Sequence, residues 1–108
     1  MKININDIGG IVAKQDERYI VKDNTALNNL VLSSTDLAPN KSTSGHKHKG
    51  QEEVYIFVTG FGKMELDDIT IDVTQGDVIL IEDNVFHRVH AGPTGTYFVC
   101  VFDGRRNH

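Results

Sequence analysis

Short apolar runs, separated by polar or glycine-bearing breaks, recur along the whole chain. Residues 19–21 and 30–32 are compact runs rich in β-formers. Residues 53–58, from Glu53 through Tyr55 and Phe57, are β-branched and aromatic, and the run is too short to prefer helix. Residues 69–73 alternate, with Ile69, Ile71 and Val73 on one face and Thr70 and Asp72 on the other. Residues 78–81 are apolar throughout, the pattern of a strand buried on both sides. Residues 63–66, 85–90 and 97–102 complete the predicted set. Turns are predicted at Gly60-Phe61-Gly62, Asp67-Asp68, residues 74–77, Glu82-Asp83-Asn84 and Gly92-Pro93-Thr94-Gly95. Helix finds little room; its best places are single turns near Asn6-Asp7 or residues 24–27. About eight short, regularly spaced strands predict an all-β sandwich or barrel. Inward side chains either fill such a barrel or enclose one small ligand, so polar residues inside it are informative.

Length and composition then narrow the classes. A chain of 108 residues is one domain. With 39% hydrophobic and 24% charged residues it is neither disordered, collagenous nor a coiled coil. No apolar run approaches the ~20 residues of a membrane helix. The N-terminus has no signal-peptide h-region, so the expected location is cytoplasmic, with no membrane partner. Eleven basic against fifteen acidic residues give a net charge of −4, and the bases are scattered, which argues against a nucleic-acid partner. The single cysteine, Cys100, has no internal disulfide partner and reads as a small buried hydrophobe.

The histidines are grouped. His46 and His48 stand at i and i+2, which on a strand places two imidazoles on one face, a suitable pair for a first-row transition metal. Gly50 relaxes the chain before Glu53 opens the next strand, where it can return a carboxylate to the same ion. Glu52 is the rival for that role. His87 follows after the buried run and the break at residues 82–84. Three imidazoles and one carboxylate would leave one or two open positions on an octahedral ion, as in catalytic or ligand-binding sites. His90, three positions beyond His87, falls on the opposite strand face and reads as surface or interface. His108 belongs to a terminal tail, residues 105–108, expected to be mobile.

Two segments resemble the sequence motifs of the cupin superfamily. Gly45-His46-Lys47-His48, four residues, Glu53, six residues and Gly60 resemble the first motif. Gly76-Asp77, the apolar residues 78–81 and His87 resemble the second, with the spacing from Gly76 to His87 matching. The motif proline is Glu82 here, its following glycine is Asn84 and its final asparagine is Ala91. None of these departures touches a metal position, and asparagine tolerates the left-handed conformation that a turn glycine supplies.

The resemblance implies an all-β, cupin-type jelly-roll β-barrel (a double-stranded β-helix) in a single domain. Residues 30–108 would form the barrel and residues 1–29 an N-terminal segment with dimerisation strands, giving a homodimer. It implies that His46, His48, Glu53 and His87 hold a divalent transition metal (Fe, Mn, Ni or Zn). Tyr55, Phe57, Phe86 and Tyr97 are candidates for the wall of a small-molecule pocket, and Arg18, Lys22 and Arg88 for contacts with an anionic ligand. The expected function is metal-dependent isomerase, decarboxylase or oxygenase chemistry on a small oxygen-rich molecule: a sugar, sugar phosphate or carboxylic acid. The alternative is a non-catalytic, metal-dependent binding module. The catalytic acid or base is not identified by sequence.

Overall fold

A computed structural model describes residues 1–104. The tail of residues 105–108, with His108, lies outside the described residues. The described residues form seven strands: β1 (Ile11–Gln15), β2 (Tyr19–Asn24), β3 (Leu30–Leu37), β4 (Glu53–Leu66), β5 (Ile69–Thr74), β6 (Val78–Ile81) and β7 (His87–Asp103). They form one antiparallel sheet in the order β1-β2-β3-β7-β4-β5, with β6 pairing β4. There is no helix among the described residues, and none long and apolar enough to cross a membrane. The fold is all-β and jelly-roll-like, although the ladder does not close into a complete barrel.

Two long strands run through both walls. The first half of β4 pairs with β6 and with the C-terminal half of β7, and its second half pairs with β5 and the N-terminal half of β7. The β4–β7 ladder slips register between Phe57 and Thr59 and again between Gly60 and Gly62. Such bulges bend a strand and raise its twist, so one sheet curls into two facing layers. The turns expected at Gly60-Phe61-Gly62 and Gly92-Pro93-Thr94-Gly95 are therefore not chain reversals. They lie inside β4 and β7, where the glycines serve the bend. The predicted strand at residues 85–90 begins only at His87.

The inner faces meet in an apolar core. Tyr19, Val21, Leu37, Phe57, Met64, Val73, Val89 and Phe98 are buried together. Phe57 and Phe98 pack with ring centroids 5.1 Å apart. The N-terminal segment shares in this core, since β2 pairs with β3 along its length and supplies Tyr19 and Val21.

Gly60 shows how tight the bend is. It has φ of 81°, and a Cβ at this position would strike the Gly95 carbonyl on β7. Gly76 also has a positive φ, 93°, but no atom lies within 4 Å of a Cβ built there. Gly60→Ala is expected to destabilise the fold by about 2–3 kcal/mol, from backbone strain plus the collision. Gly76→Ala should cost about 1 kcal/mol, from strain alone. Urea denaturation of both variants checks the order, and equal losses would contradict the close approach of β4 and β7.

Candidate metal centre

The segment carrying His46 and His48 is rich in Ser, Thr, Lys and Gly and has little apolar surface to bury. Hydrogen bonds to β7 position it instead. His46 N donates to His87 O (3.0 Å) and His87 N donates to His46 O (2.8 Å), a reciprocal pair. Upstream, Thr43 N donates to Val89 O (2.9 Å), and Ala91 N to Lys41 O (2.8 Å). The Thr43 hydroxyl accepts from Val89 N (3.0 Å), and the Thr43 carbonyl accepts from Arg88 Nε (2.8 Å). Downstream, Asn84 N donates to His48 O (3.0 Å) and Gly50 N to the Asp83 carboxylate (2.5 Å). Asn84 has φ of 65°, the left-handed conformation that its turn requires. The break at residues 82–84 thus pins the far side of the histidine loop.

Glu53 enters from the start of β4, flanked by Ile81 on β6 and Phe102 on β7, and is buried. Glu52, its rival, points to solvent. Glu53 Oε1 lies 3.4 Å from His87 Nε2 and 4.0 Å from His48 Nε2. One donor atom from each of His48, Glu53 and His87 falls within 4.8 Å of the others. Ligands about 2.0–2.2 Å from one ion stand roughly 3–3.5 Å apart, so the group needs only a small contraction to hold a metal. The outer contact of His87 also suits the role. Its Nδ1 is 3.1 Å from the Val85 carbonyl, which only accepts, so Nδ1 carries a proton and Nε2 is the nitrogen turned to Glu53, the one a bound cation would take.

His46 lines the same cavity but stands outside that close group. Its ring stacks on His48 at 5.7 Å and lies 6.2 Å from His87. Burial pushes its pKa down to about 4, reinforced by the positive charge of Lys14 and by the neighbouring imidazoles, and opposed by Glu53. His46 is therefore neutral, the ligand-competent form, at pH 7. For His87, burial works downward but is outweighed by the hydrogen bond and charge of Glu53 and by the Val85 bond, so its pKa is raised.

These side chains line a cavity of about 50 Å³. At roughly 10–15 Å³ per water position it holds a few waters or a small polar ligand. Of the aromatic candidates, Tyr55 lines it, edge-on to His87 at 5.7 Å and stacked on Phe98 at 5.1 Å. The other three lie elsewhere. Phe57 is fully buried in the core below, Phe86 packs over Gly45, and the Tyr97 hydroxyl donates to the Ile5 carbonyl (2.8 Å) on the outer face. The cations proposed from sequence do not line the cavity, although Arg18 and Arg88 touch residues that do. Arg18 pairs with Asp16 (2.8 Å), Lys22 lies 3.7 Å from Asp7, and Arg88 binds the Thr43 carbonyl. His90 is set apart too, between Ser42 Oγ and Glu65 Oε2 at 2.6 Å each. Sequence reasoning missed Lys14, Ser33, Thr35, Thr43 and Gln51 as lining residues and left the facing of Cys100 open; Cys100 faces the cavity. Strand register decides all but Thr43 and Gln51, and Ser33, buried on β3, follows the apolar residues 30–32 as the first of a polar stretch, so no local pattern marked it.

A family model described as Cupin domain matches residues 33–102. A curated relative, an uncharacterized protein of Methanocaldococcus jannaschii, is 29% identical over 82 residues, covering 66% of this chain and 66% of its own length. The chain thus spans just under two thirds of that relative. Among solved structures, KdgF from Halomonas sp. superposes with a TM-score of 0.80 at 16% identity, over 97% of this chain and 93% of that one. The formate complex of Lactobacillus farciminis oxalate decarboxylase gives 0.82 at 20% identity, over 98% of this chain but 33% of the longer one. At these identities the likeness is one of fold.

Proposed function

The chain belongs to the cupin domain family, and on that premise we propose that it is a metal-dependent protein that binds and transforms a small oxygen-rich molecule. A sugar, a sugar phosphate or a carboxylic acid fits the description, with isomerase, decarboxylase or oxygenase chemistry. The observation that carries the reading is the convergence of His48, Glu53 and His87 donor atoms within 4.8 Å in one cavity. His46, neutral and on the same wall, is the fourth donor.

A divalent first-row ion such as Fe, Mn, Ni or Zn would supply Lewis acidity to a ligand oxygen. The chain's own residues do the rest. Glu53 brings one buried negative charge to offset a cation. The Val85 carbonyl keeps His87 in the tautomer that presents Nε2. The Tyr55 ring packs edge-on against His87 and keeps water from that side. Phe98, Phe102 and Cys100 close the floor, leaving Ser33, Thr35, Thr43 and Gln51 as the uncharged polar wall.

A homodimer is part of the same reading. Support comes from the position of β1 at the end of the sheet and from exposed apolar residues in and beside the N-terminal segment, including Ile11 at 70%, Val12 at 50% and Leu27 at 65% exposure. Light scattering at micromolar concentration should give about twice the chain mass, and a monomer would count against it.

Protein purified without added metal should contain about one equivalent of a first-row metal by elemental analysis. His48→Ala, His87→Ala and Glu53→Gln should each weaken metal binding by at least about 100-fold, because each removes a ligand rather than an outer partner. His46→Ala should cost less, because it stands outside the close group. Undiminished metal content in folded His48→Ala/His87→Ala protein would sink the assignment.

A further inference from the structure

The β1–β2 ladder contains one irregularity, and it decides where a lysine points. Val12 pairs with Lys22, but Lys14 pairs with Val21, so two steps along β1 match one step along β2. Ala13 is the extra residue. Paired residues share a face. Lys22 lies on the outer face with exposed Ile20, whereas Val21 is in the core. A regular ladder would carry Lys14 onto Ile20 and outward, on the same face as Val12. The bulge turns it to the inner face.

Along β1 the apolar residues are the exposed ones and the lysine is the part-buried one. Ile11 and Val12 stay largely in solvent, while Lys14 is half-buried against the cavity that holds His46, His48, Glu53 and His87. Packing gives no reason for that exchange. Bulges next to binding sites characteristically re-aim a side chain. Among the described lining residues Lys14 is the one lysine or arginine and Glu53 the one carboxylate. Lys14 lines the same cavity as His46, His48, Glu53 and His87, which places its ammonium beside the metal group. With a divalent cation present, one carboxylate against one ammonium leaves the cavity net positive, a setting that selects anions.

We propose that Lys14, turned inward by the β1 bulge, is the specificity-determining anchor for a carboxylate on the small molecule that this cavity binds. The inference rests on the metal-dependent reading above and narrows it: the ligand is a small carboxylic acid, with one oxygen group at the metal and an anionic group at the Lys14 ammonium. The cavity's few-water capacity, the single cationic side chain and the polar Ser33, Thr35 and Thr43 favour a compact acid over a polyanion.

The test is calorimetric titration of zinc-loaded protein with oxalate, inorganic phosphate and ethylene glycol, for the wild type, Lys14→Met and Lys14→Arg, with metal content and circular dichroism checked in each. Lys14→Met keeps the aliphatic stem and should leave metal content unchanged. It should weaken oxalate binding about tenfold or more, as expected for loss of a charge-assisted hydrogen bond. Lys14→Arg should return oxalate affinity to within about threefold, and ethylene glycol should not respond to either change. Unchanged oxalate affinity in Lys14→Met would overturn the inference. So would wild-type protein that loads zinc yet binds phosphate more tightly than oxalate, or oxalate no more tightly than ethylene glycol, and both results would leave the metal site standing. Wild-type protein that takes up no metal would overturn the metal reading and this inference with it. If Lys14→Met misfolds, Lys14→Arg at within threefold of wild type supports the anchor, and a tenfold gap between them overturns a charge-based one.

Discussion

The reciprocal hydrogen bonds between His46 and His87 are the constraint on which the rest of the site depends. The two residues are far apart in sequence, and the segment bearing His46 and His48 is polar. It gains almost nothing from burial, so the hydrophobic effect does not hold it. Backbone pairing to β7 does, and it fixes the donors together because a strand pair sets which side chains share a face. Asn84 and Asp83 then secure the other end of the loop at His48 and Gly50. Each bond alone is worth only about 0.5–1.5 kcal/mol. The array closes a loop whose ordering entropy would otherwise oppose the site.

That anchoring works only if β7 is itself immobile and correctly bent. Its C-terminal half is held between β3 and β4, and its side chains Phe98, Cys100 and Phe102 face inward. The slips at residues 57–62 of β4 let both strands turn from one wall into the other without leaving the ladder. Gly60 permits β7 to approach at the bend, where any side chain would meet the Gly95 carbonyl. The same long strands thus carry both the apolar core and the wall against which the metal group is built.

How far this was legible in the sequence follows from which forces act locally. Alternation of apolar and polar residues announced the strands and the all-β class, because side-chain period is a local property. The interval from His46 to Glu53 and the later His87, through the motifs they resemble, marked four of the side chains that meet in the cavity. Gly60-Phe61-Gly62 and Gly92-Pro93-Thr94-Gly95 were misleading, since glycine serves a bulge as readily as a turn. Tyr97 reads as a pocket residue by type, but the register of β7 sends it to the outer face, where the Ile5 carbonyl meets its hydroxyl. Lys14 was invisible for the complementary reason: one extra residue in the ladder reverses its facing, and no residue type marks that event.

The interior that results is chemically divided. Phe57, Met64, Val73, Val89 and Phe98 fill one part as an ordinary core, and imidazoles, one carboxylate and hydroxyls occupy the other. A buried carboxylate beside imidazoles is costly unless a cation or proton compensates it, which is the physical reason to expect a metal at this position. Anomalous diffraction from crystals of the purified protein, recorded at the first-row metal edges, tests that expectation directly. The account predicts a single peak between His48 Nε2, Glu53 Oε1 and His87 Nε2, with ligand distances of about 2.0–2.2 Å. A structure with no peak there, or with its metal bound elsewhere on the chain, would contradict it.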